Sequence, residues 1–459
     1  MSTAPSGNAG LSWLGIIRLG LVQTCLGAIV VLTTSTINRI MVVELALPAM
    51  LPGILVAVHH AVQMSRPRFG HGSDIGGRTT GWIIGGMVLL AFGGVGAAAG
   101  TNLLASSTAL GFLVCALSFT AIGLGASAAG TSLLVTLAKH VAPHRKAAAA
   151  SIVWIMMIAG FAVTAGAAGH FLDPFSPARL LLVCGSVSAL AVLVTLVATF
   201  RVEPRTPLQS AADLAAPRHH GRFGTALREV WEERDARRFT IFVFVSMLAY
   251  SAQDLILEPF AGTVFGMTPG QSTQLAGVQH GGVLCGMLIV AATTLMRRNA
   301  SLVVLRAWSV GGCLASAGAL VAIAIGGARA ESWPLAGNVF LLGLANGAFA
   351  VAAIASMMTL AGRGTARREG LRMGIWGASQ AIAFALGGFL GTVAIDVSRA
   401  LISEAPAAYA VVFSAEAGLF VVAAIIGLRL RAADADGNTG RQVAPSFGDV
   451  AMVEVLDAR

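Results

Sequence analysis

Twelve long apolar stretches dominate this chain of 459 residues, and they fall into two groups of six that resemble each other. When the sequence is shifted by 222 residues, a basic pair, a Trp and three glycines coincide: Arg145-Lys146 with Arg367-Arg368, Trp154 with Trp376, Gly125 with Gly347, Gly166 with Gly388, and Gly169 with Gly391. This common spacing predicts a duplicated six-helix unit. Parallel repeats of this kind in a membrane enclose a cavity between the two halves, as in many transporters.

The composition predicts an all-α integral membrane protein. The chain is 56% hydrophobic and 11% charged, whereas soluble domains are about 25% charged. The net charge of +9 comes from basic residues in short loops beside the apolar stretches. Such residues set the orientation of a membrane protein, so nucleic acid is not an expected partner.

A membrane-spanning helix needs about 20 apolar residues. We predict spans over residues 14–37, 42–65, 80–100, 103–127, 148–170, 178–200, 239–259, 272–295, 301–327, 334–360, 372–396 and 406–430. The implied parts are a cytoplasmic N-terminal lead (1–13), a first six-helix bundle (14–200), a cytoplasmic linker (201–238), a second bundle (239–430) and a cytoplasmic tail (431–459). The linker contains an amphipathic helix around Phe223–Trp231, which lies either on the membrane surface or in solvent.

Charge asymmetry predicts that both termini are cytoplasmic. With that orientation all Lys and Arg residues lie on the cytoplasmic side except four: Arg39, Arg179, Arg329 and Arg399. The Trp residues expected at the cytoplasmic boundary of the membrane are Trp13, Trp82, Trp154, Trp308 and Trp376.

Polar residues inside spans are costly, so each is a candidate for function. The candidates that we place around a cavity for substrate or pigment are Asn38, Arg39, Glu44, His59, His60, Gln253, Asp254, Glu258 and His280. A local ion pair between Arg39 and Glu44 is a structural alternative for that pair. His140 is expected in solvent, in a cytoplasmic loop.

No enzyme motif is present. The sequence has no HExxH, no G-x-S-x-G and no G-x-x-x-x-G-K-[ST], so neither hydrolase chemistry nor ATP-driven transport is indicated. The five cysteines have neither metal-ligand spacing nor the pattern of a disulfide framework. We therefore expect a protein that is not an enzyme and has no directly bound metal.

The loop after the second apolar stretch resembles the signature loop of the major facilitator superfamily. The match is carried by Gly70, Asp74, Gly77 and Arg78, with Ile75 and Gly72 departing from the usual pattern. In such a loop Gly permits a tight reversal, and the Asp pairs with an Arg or caps a helix on the facing half. The resemblance implies a conformational latch and a fold of twelve transmembrane helices in two six-helix pseudo-repeats.

Two further blocks are more specific. Thr36–Pro48 contains Asn38-Arg39 followed by Glu44, and Tyr250–Gly286 contains Gln253-Asp254, Glu258-Pro259 and His280-Gly-Gly. Together they resemble the PucC/LhaA family, the bacteriochlorophyll-delivery branch of the major facilitator superfamily, over residues 12–430.

This resemblance implies a carrier or assembly factor in a bacterial inner membrane. Its cargo would be (bacterio)chlorophyll or a precursor, and its partners would be membrane lipid and light-harvesting or pigment-synthesis proteins. His59, His60 and His280 would be the possible ligands of the chlorin Mg, unless each is simply packed and bonded to a backbone carbonyl. The alternative is a proton-coupled transporter of a small solute, in which Asp254, Glu258 and His280 carry protons.

Overall fold

The structure is a computed structural model that describes residues 11–66, 79–203, 231–296, 302–361 and 369–429, and in these ranges it contains helices and no strands. We number the helices in chain order: α1 Trp13–Glu44, α2 Met50–Gln63, α3 Thr80–Leu104, α4 Thr108–His140, α5 Pro143–Leu172, α6 Pro177–Thr199, α7 Arg234–Phe265, α8 Pro269–Met296, α9 Leu302–Gly327, α10 Leu335–Ala361, α11 Glu369–Leu401 and α12 Ala405–Leu428.

The described helices form two packed halves, α1–α6 and α7–α12, each with its own hydrophobic core. Eleven of these helices are long and apolar enough to cross a membrane, and α2 is a shorter apolar helix of 14 residues. A few residues join the core of the opposite half: Val42 and Ala49 contribute to the second core, and Leu255 and Ala276 to the first. The chain is therefore a multi-pass membrane protein in two pseudo-repeats, and its described residues contain helices and no strands.

The boundary between the first two helices differs from the prediction. Helix α1 continues past residue 37 to Glu44, through two π-helical turns that begin at Leu32 and Ile40. The hydroxyl of Thr33 donates to the carbonyl of Ile29 at 3.1 Å, so side chains compete with the backbone ladder at the start of the first wide turn. No Gly or Pro interrupts the chain until Pro48, and α2 begins only at Met50.

Other predicted spans differ at their ends. The fourth span, predicted over 103–127, is the helix Thr108–His140, and the seventh, predicted over 239–259, is the helix Arg234–Phe265. Hydropathy marks only the part of a helix that lies in lipid, whereas the helix itself continues until a residue such as Pro143 ends the pattern.

Trp376 does not face the membrane interface. Its ring is 1% exposed and packs edge-on against Phe239, with the centroids 4.9 Å apart. Trp13, in contrast, is exposed and has the guanidinium of Arg145 over its ring at 4.3 Å. The signature loop and nearly all of the predicted linker helix lie outside the described residues.

Two pairs of helices join the halves along their length, α2 with α11 and α5 with α8. We call these pairs the first and second seams. They occupy equivalent positions, because α2 and α8 are the second helices of their halves and α5 and α11 are the fifth. In the second seam the helices approach at small residues, so a Cβ on Gly277 would lie 2.9 Å from the backbone nitrogen of Gly166.

Candidate functional site

Arg39, near the end of α1, binds the second half of the molecule. Its guanidinium forms an ion pair with Glu44 and donates to the carbonyl of Met267 at 2.6 Å. The side chain is 2% exposed and lies directly on Gly262, where a Cβ would be 2.9 Å from Nη2. Its Nε has no hydrogen-bond partner. The predicted local ion pair is thus present, but Arg39 also joins α1 to the end of α7.

Asn38 donates a hydrogen bond to a backbone carbonyl that Pro259 leaves without a donor. Proline has no N–H, so the carbonyl four residues earlier in the helix, that of Leu255, has no donor in its own helix. The amide of Asn38 supplies that donor across the two halves, with Nδ2 2.7 Å from the Leu255 oxygen. The Asn-Arg block of the first half and the Glu-Pro block of the second are therefore parts of one contact.

The polar side chains of α7 are buried with few partners. Gln253 is fully buried and neither of its amide atoms has a hydrogen bond, and both carboxylate oxygens of Glu258 also lack one. Asp254 accepts from Nε2 of Gln279 at 3.3 Å. Buried polar groups are almost always hydrogen-bonded in folded proteins, so this cluster has unused capacity to bind a polar or cationic group.

His59 is held by a chain of hydrogen bonds. Arg66, which only donates, lies 2.5 Å from Oε1 of Gln63, and this fixes the orientation of the Gln63 amide. Nε2 of Gln63 therefore donates to Nε2 of His59 at 2.8 Å. The lone pair of His59 is used, and its Nδ1 is buried without a partner. In this arrangement His59 therefore has no free lone pair with which to bind a metal.

His60 lies at the first seam. Its ring is partly exposed and packs against Phe384 of α11, with the centroids 5.9 Å apart. Phe384 in turn contacts Tyr250 of α7 at 5.7 Å. His60, Phe384 and Tyr250 together form an aromatic surface that spans both halves.

His280 lies at the second seam. Its Nδ1 is 2.8 Å from the carbonyl oxygen of Ala276, one turn earlier in α8. Because a carbonyl only accepts, Nδ1 carries the proton, and Nε2 of the neutral ring keeps its lone pair. The ring packs edge-on against Phe161 of α5, with the centroids 5.1 Å apart.

The predicted residues thus form two groups. Asn38, Arg39 and Glu44 meet the last third of α7, a helix that also carries Gln253, Asp254 and Glu258, whereas His60 and His280 lie at the seams and His59 lies beside His60. Whether these residues form one pigment or substrate cavity remains a prediction. Gly70, Asp74, Gly77 and Arg78 of the predicted latch lie outside the described residues.

Sequence reasoning missed two carboxylates that link the halves. Asp396 of α11 accepts from the backbone nitrogens of Ala49 and Met50 at 2.8 and 2.7 Å, and Asp173 accepts from the backbone nitrogen of Gly270 at 3.2 Å. Their separation of 223 residues differs by one from the repeat offset of 222, which is why a strict comparison of the two halves did not find them.

His140 is buried at the end of α4, contrary to the expectation that it lies in solvent. It is 2% exposed, and its Nε2 lies 3.8 Å from a carboxylate oxygen of Glu203. Glu203 also accepts hydrogen bonds from the backbone and hydroxyl groups of Thr79 and Thr80. Burial acts to raise the pKa of Glu203, but the hydrogen bonds outweigh it and lower this pKa to about 2.

A bundle of paired six-helix repeats joined along α2–α11 and α5–α8 is the fold of the major facilitator superfamily. The solved structure of the nucleoside transporter NupG superposes with a TM-score of 0.63 at 14% sequence identity, covering 91% of this chain and 99% of that chain. Residues 36–435 match the family described as PUCC protein. The chain therefore belongs to the PUCC protein family.

Two curated relatives cover nearly the whole chain. One is the bacteriochlorophyll synthase 44.5 kDa chain of Rhodobacter capsulatus, which is 49% identical over 423 residues, covering 92% of this chain and 96% of the relative. The other is the protein PucC of Cereibacter sphaeroides, which is 29% identical over 441 residues, covering 90% and 91%. These matches confirm the predicted family.

Proposed function

We propose that this protein binds (bacterio)chlorophyll in the membrane and delivers it to light-harvesting or other photosynthetic apoproteins. Its family membership and the name of its R. capsulatus relative support a role with this pigment. Among the described residues no group of three or more His, Cys, Asp or Glu side chains is arranged to hold a metal ion. A chlorin needs no such group, because its Mg is already held by the ring and takes one ligand from the protein.

The observation that carries the proposal is the geometry of His280. Its Nδ1–H is fixed by the Ala276 carbonyl, which leaves the Nε2 lone pair as the ligand atom. The residue lies inside the membrane span of α8 and against Phe161 of the other half. His280 therefore suits the role of axial ligand better than His59, because the Nε2 lone pair of His59 already accepts a hydrogen bond from Gln63.

The first seam offers a complementary apolar surface. His60, Phe384 and Tyr250 present aromatic rings from three helices of both halves. Flat aromatic side chains bury large areas and stack against other planar groups. We propose that this surface takes part of the macrocycle or its tail, with His60 as a second candidate ligand.

Proton-coupled transport of a small solute is the alternative function. The buried, unpartnered carboxylates of Glu258 and Glu416 favour it, since ionisable residues in membrane spans often carry protons. This alternative predicts solute uptake that is lost in Glu258→Gln and carries no requirement for pigment. Catalysis of a step in pigment synthesis is not part of the proposal, because the sequence contains no catalytic motif.

An absorbance spectrum of the full-length protein, purified in mild detergent from a pigment-producing host, tests the proposal. We expect a bound chlorin band in the unmodified protein and its loss in His280→Ala, because the axial ligand is removed. His170→Ala is the matched control, since His170 is exposed at the end of α5 and contacts only Phe171 among the described rings. It should keep the full band.

The other outcomes are equally informative. A folded but colourless unmodified protein would contradict pigment binding and favour the transporter. An unchanged band in His280→Ala would contradict the assignment of His280 as ligand. A band that survives in His280→Ala but shifts in His60→Ala would also overturn that assignment and place the ligand at the first seam.

A further inference from the structure

Among the described residues, a set of hydrogen bonds between the two halves lies toward one end of the bundle. These bonds involve the last turns of α1, the starts of α2 and α8, the ends of α5 and α11, and the last third of α7. We call this the closed end, and it is the end at which α1 reaches Glu44. Farther from this end, the halves share an apolar cluster that includes Ile158, Met287 and Val290.

Asp396 binds the start of α2 at the closed end of the first seam. Its two carboxylate oxygens accept from the backbone nitrogens of Ala49 and Met50 at 2.8 and 2.7 Å. The first turn of a helix has free N–H groups and a positive dipole end, so a carboxylate there is a charge-assisted cap. This cap comes from the other half of the molecule.

Asp173 makes the equivalent contact at the closed end of the second seam. Its carboxylate accepts from the hydroxyl of Thr268 at 2.5 Å and from the backbone nitrogen of Gly270 at 3.2 Å, at the start of α8. Thr268 and Gln271 already form a reciprocal capping box at that helix start. Asp173 therefore adds a bond between halves to a helix that is capped without it.

The two contacts are related by the internal repeat. Each carboxylate lies at or near the end of the fifth helix of one half and caps the second helix of the other half, four residues after Gly169 and five residues after Gly391. A helix can be capped by a residue of its own half. Two equivalent caps that both come from the opposite half therefore point to a role in holding the halves together.

We propose that Asp173 and Asp396 are paired clamps that keep this end of the bundle closed, and that the protein opens at this end when both release. Because both clamps oppose one rigid separation of the halves, their effects on that motion multiply. The proposal concerns the motion of the halves and does not depend on what the protein carries.

Distances between spin labels test this inference in the full chain, in lipid nanodiscs. Labels at Ser106→Cys and Ser403→Cys, both exposed in closed-end loops of opposite halves, report the separation. Of the native cysteines only Cys285 is exposed, and Cys285→Ser removes it from the labelling background. Pulsed electron paramagnetic resonance then gives the fraction of molecules with a long label distance.

The expected change follows from the strength of a cap. Loss of one charge-assisted cap, of about 1 kcal/mol, should raise the open fraction about fivefold in Asp173→Asn or Asp396→Asn. In the double variant the increase should reach about 25-fold, because the two effects add in free energy. Glu331→Gln, an exposed acid in another closed-end loop, should leave the distances unchanged.

An unchanged distance distribution in the folded double variant would overturn the proposal, even if its thermal stability falls, because the carboxylates would then be caps and nothing more. If the double variant does not fold, Thr268→Val replaces Asp173→Asn. It removes the hydroxyl that donates to Asp173 and accepts from the Gln271 backbone nitrogen, and it keeps the carboxylate. It should still raise the open fraction, and its failure to do so in a folded protein would contradict the clamp at the second seam.

Discussion

Glu203, which follows α6, and the buried glutamates of α7 and α12 have opposite surroundings. Glu203 accepts four hydrogen bonds from Thr79 and Thr80 at the start of α3. In the second half, Glu258 and Glu416 are buried in the membrane span and neither has a hydrogen bond among the described residues. A fully hydrogen-bonded carboxylate stabilises the structure around it, whereas a buried carboxylate without a hydrogen bond is costly and is therefore a candidate for function.

The first half supplies the matching donors. Arg39 is the large buried cation of the described membrane spans, and both it and Asn38 reach carbonyls of the second half. At this contact the first half supplies the side-chain donors and the second half supplies backbone acceptors, so the two repeats are not alike here.

The largest effect should follow the loss of Arg39. Arg39→Leu removes the cation that pairs with Glu44 and donates to the Met267 carbonyl. Breaking a fully buried pair costs about 3–5 kcal/mol, and because Glu44 is 34% exposed we expect a loss of about 3 kcal/mol. Thermal unfolding in detergent measures this loss. Arg18→Leu is the control, because Arg18 binds carbonyls such as that of Ala198 within its own half. Equal losses of thermal stability in both variants would contradict the prediction that Arg39, which binds between the halves, contributes more than Arg18, which binds within one half.

A smaller effect should come from Asn38. Asn38→Leu leaves the Leu255 carbonyl buried without a donor, at a cost of about 2 kcal/mol. In a Pro259→Ala background the helix regains its own N–H, so the same change should cost clearly less. A double-mutant cycle on thermal unfolding measures this difference.

The control for this cycle is Asn102→Leu. Asn102 donates to the Pro177 carbonyl at an exposed position of the first half, so Pro259→Ala should not alter its cost. A cycle in which Asn38 and Pro259 act independently would contradict the shared hydrogen bond.

The smallest effects are expected for Glu203 and Glu416, which represent the two kinds of carboxylate. The pKa of Glu203 is lowered to about 2 in the folded protein, from about 4.3 when unfolded. Its contribution to stability is therefore present above pH 4.3 and is lost as the pH falls toward 2. Glu203→Gln should lower stability at neutral pH by about 1 kcal/mol, allowing for solvent screening, and flatten the pH dependence in that window.

Glu416→Gln should leave thermal stability unchanged or raise it slightly, because no hydrogen bond of the carboxylate is lost. Melting temperatures of the two variants at neutral pH test the contrast. If Glu416→Gln is the more destabilising change, the distinction between a structural and a functional carboxylate fails.

Sequence predicted the helices well and the contacts between them poorly. Hydropathy and the repeat identified the bundle because lipid imposes length and composition on every span. The end of α1 was misplaced, since π turns leave no signal in composition, and Asp173 and Asp396 were missed because a cap between halves depends on packing. Arg39 and Asn38 were found because a polar residue in a span is rare, but their partners are carbonyls, which every residue has.

The hydrogen bond from Asn38 to the carbonyl that Pro259 leaves free also constrains inheritance. A proline in α7 is tolerable here because an amide arrives from a helix encoded more than 200 residues earlier. Asn38 therefore cannot change before Pro259 without loss, whereas Pro259 can change first because the helix regains its own N–H. Chimaeras that combine Pro259 in the second half with a residue other than Asn at position 38 should be less stable by about 2 kcal/mol.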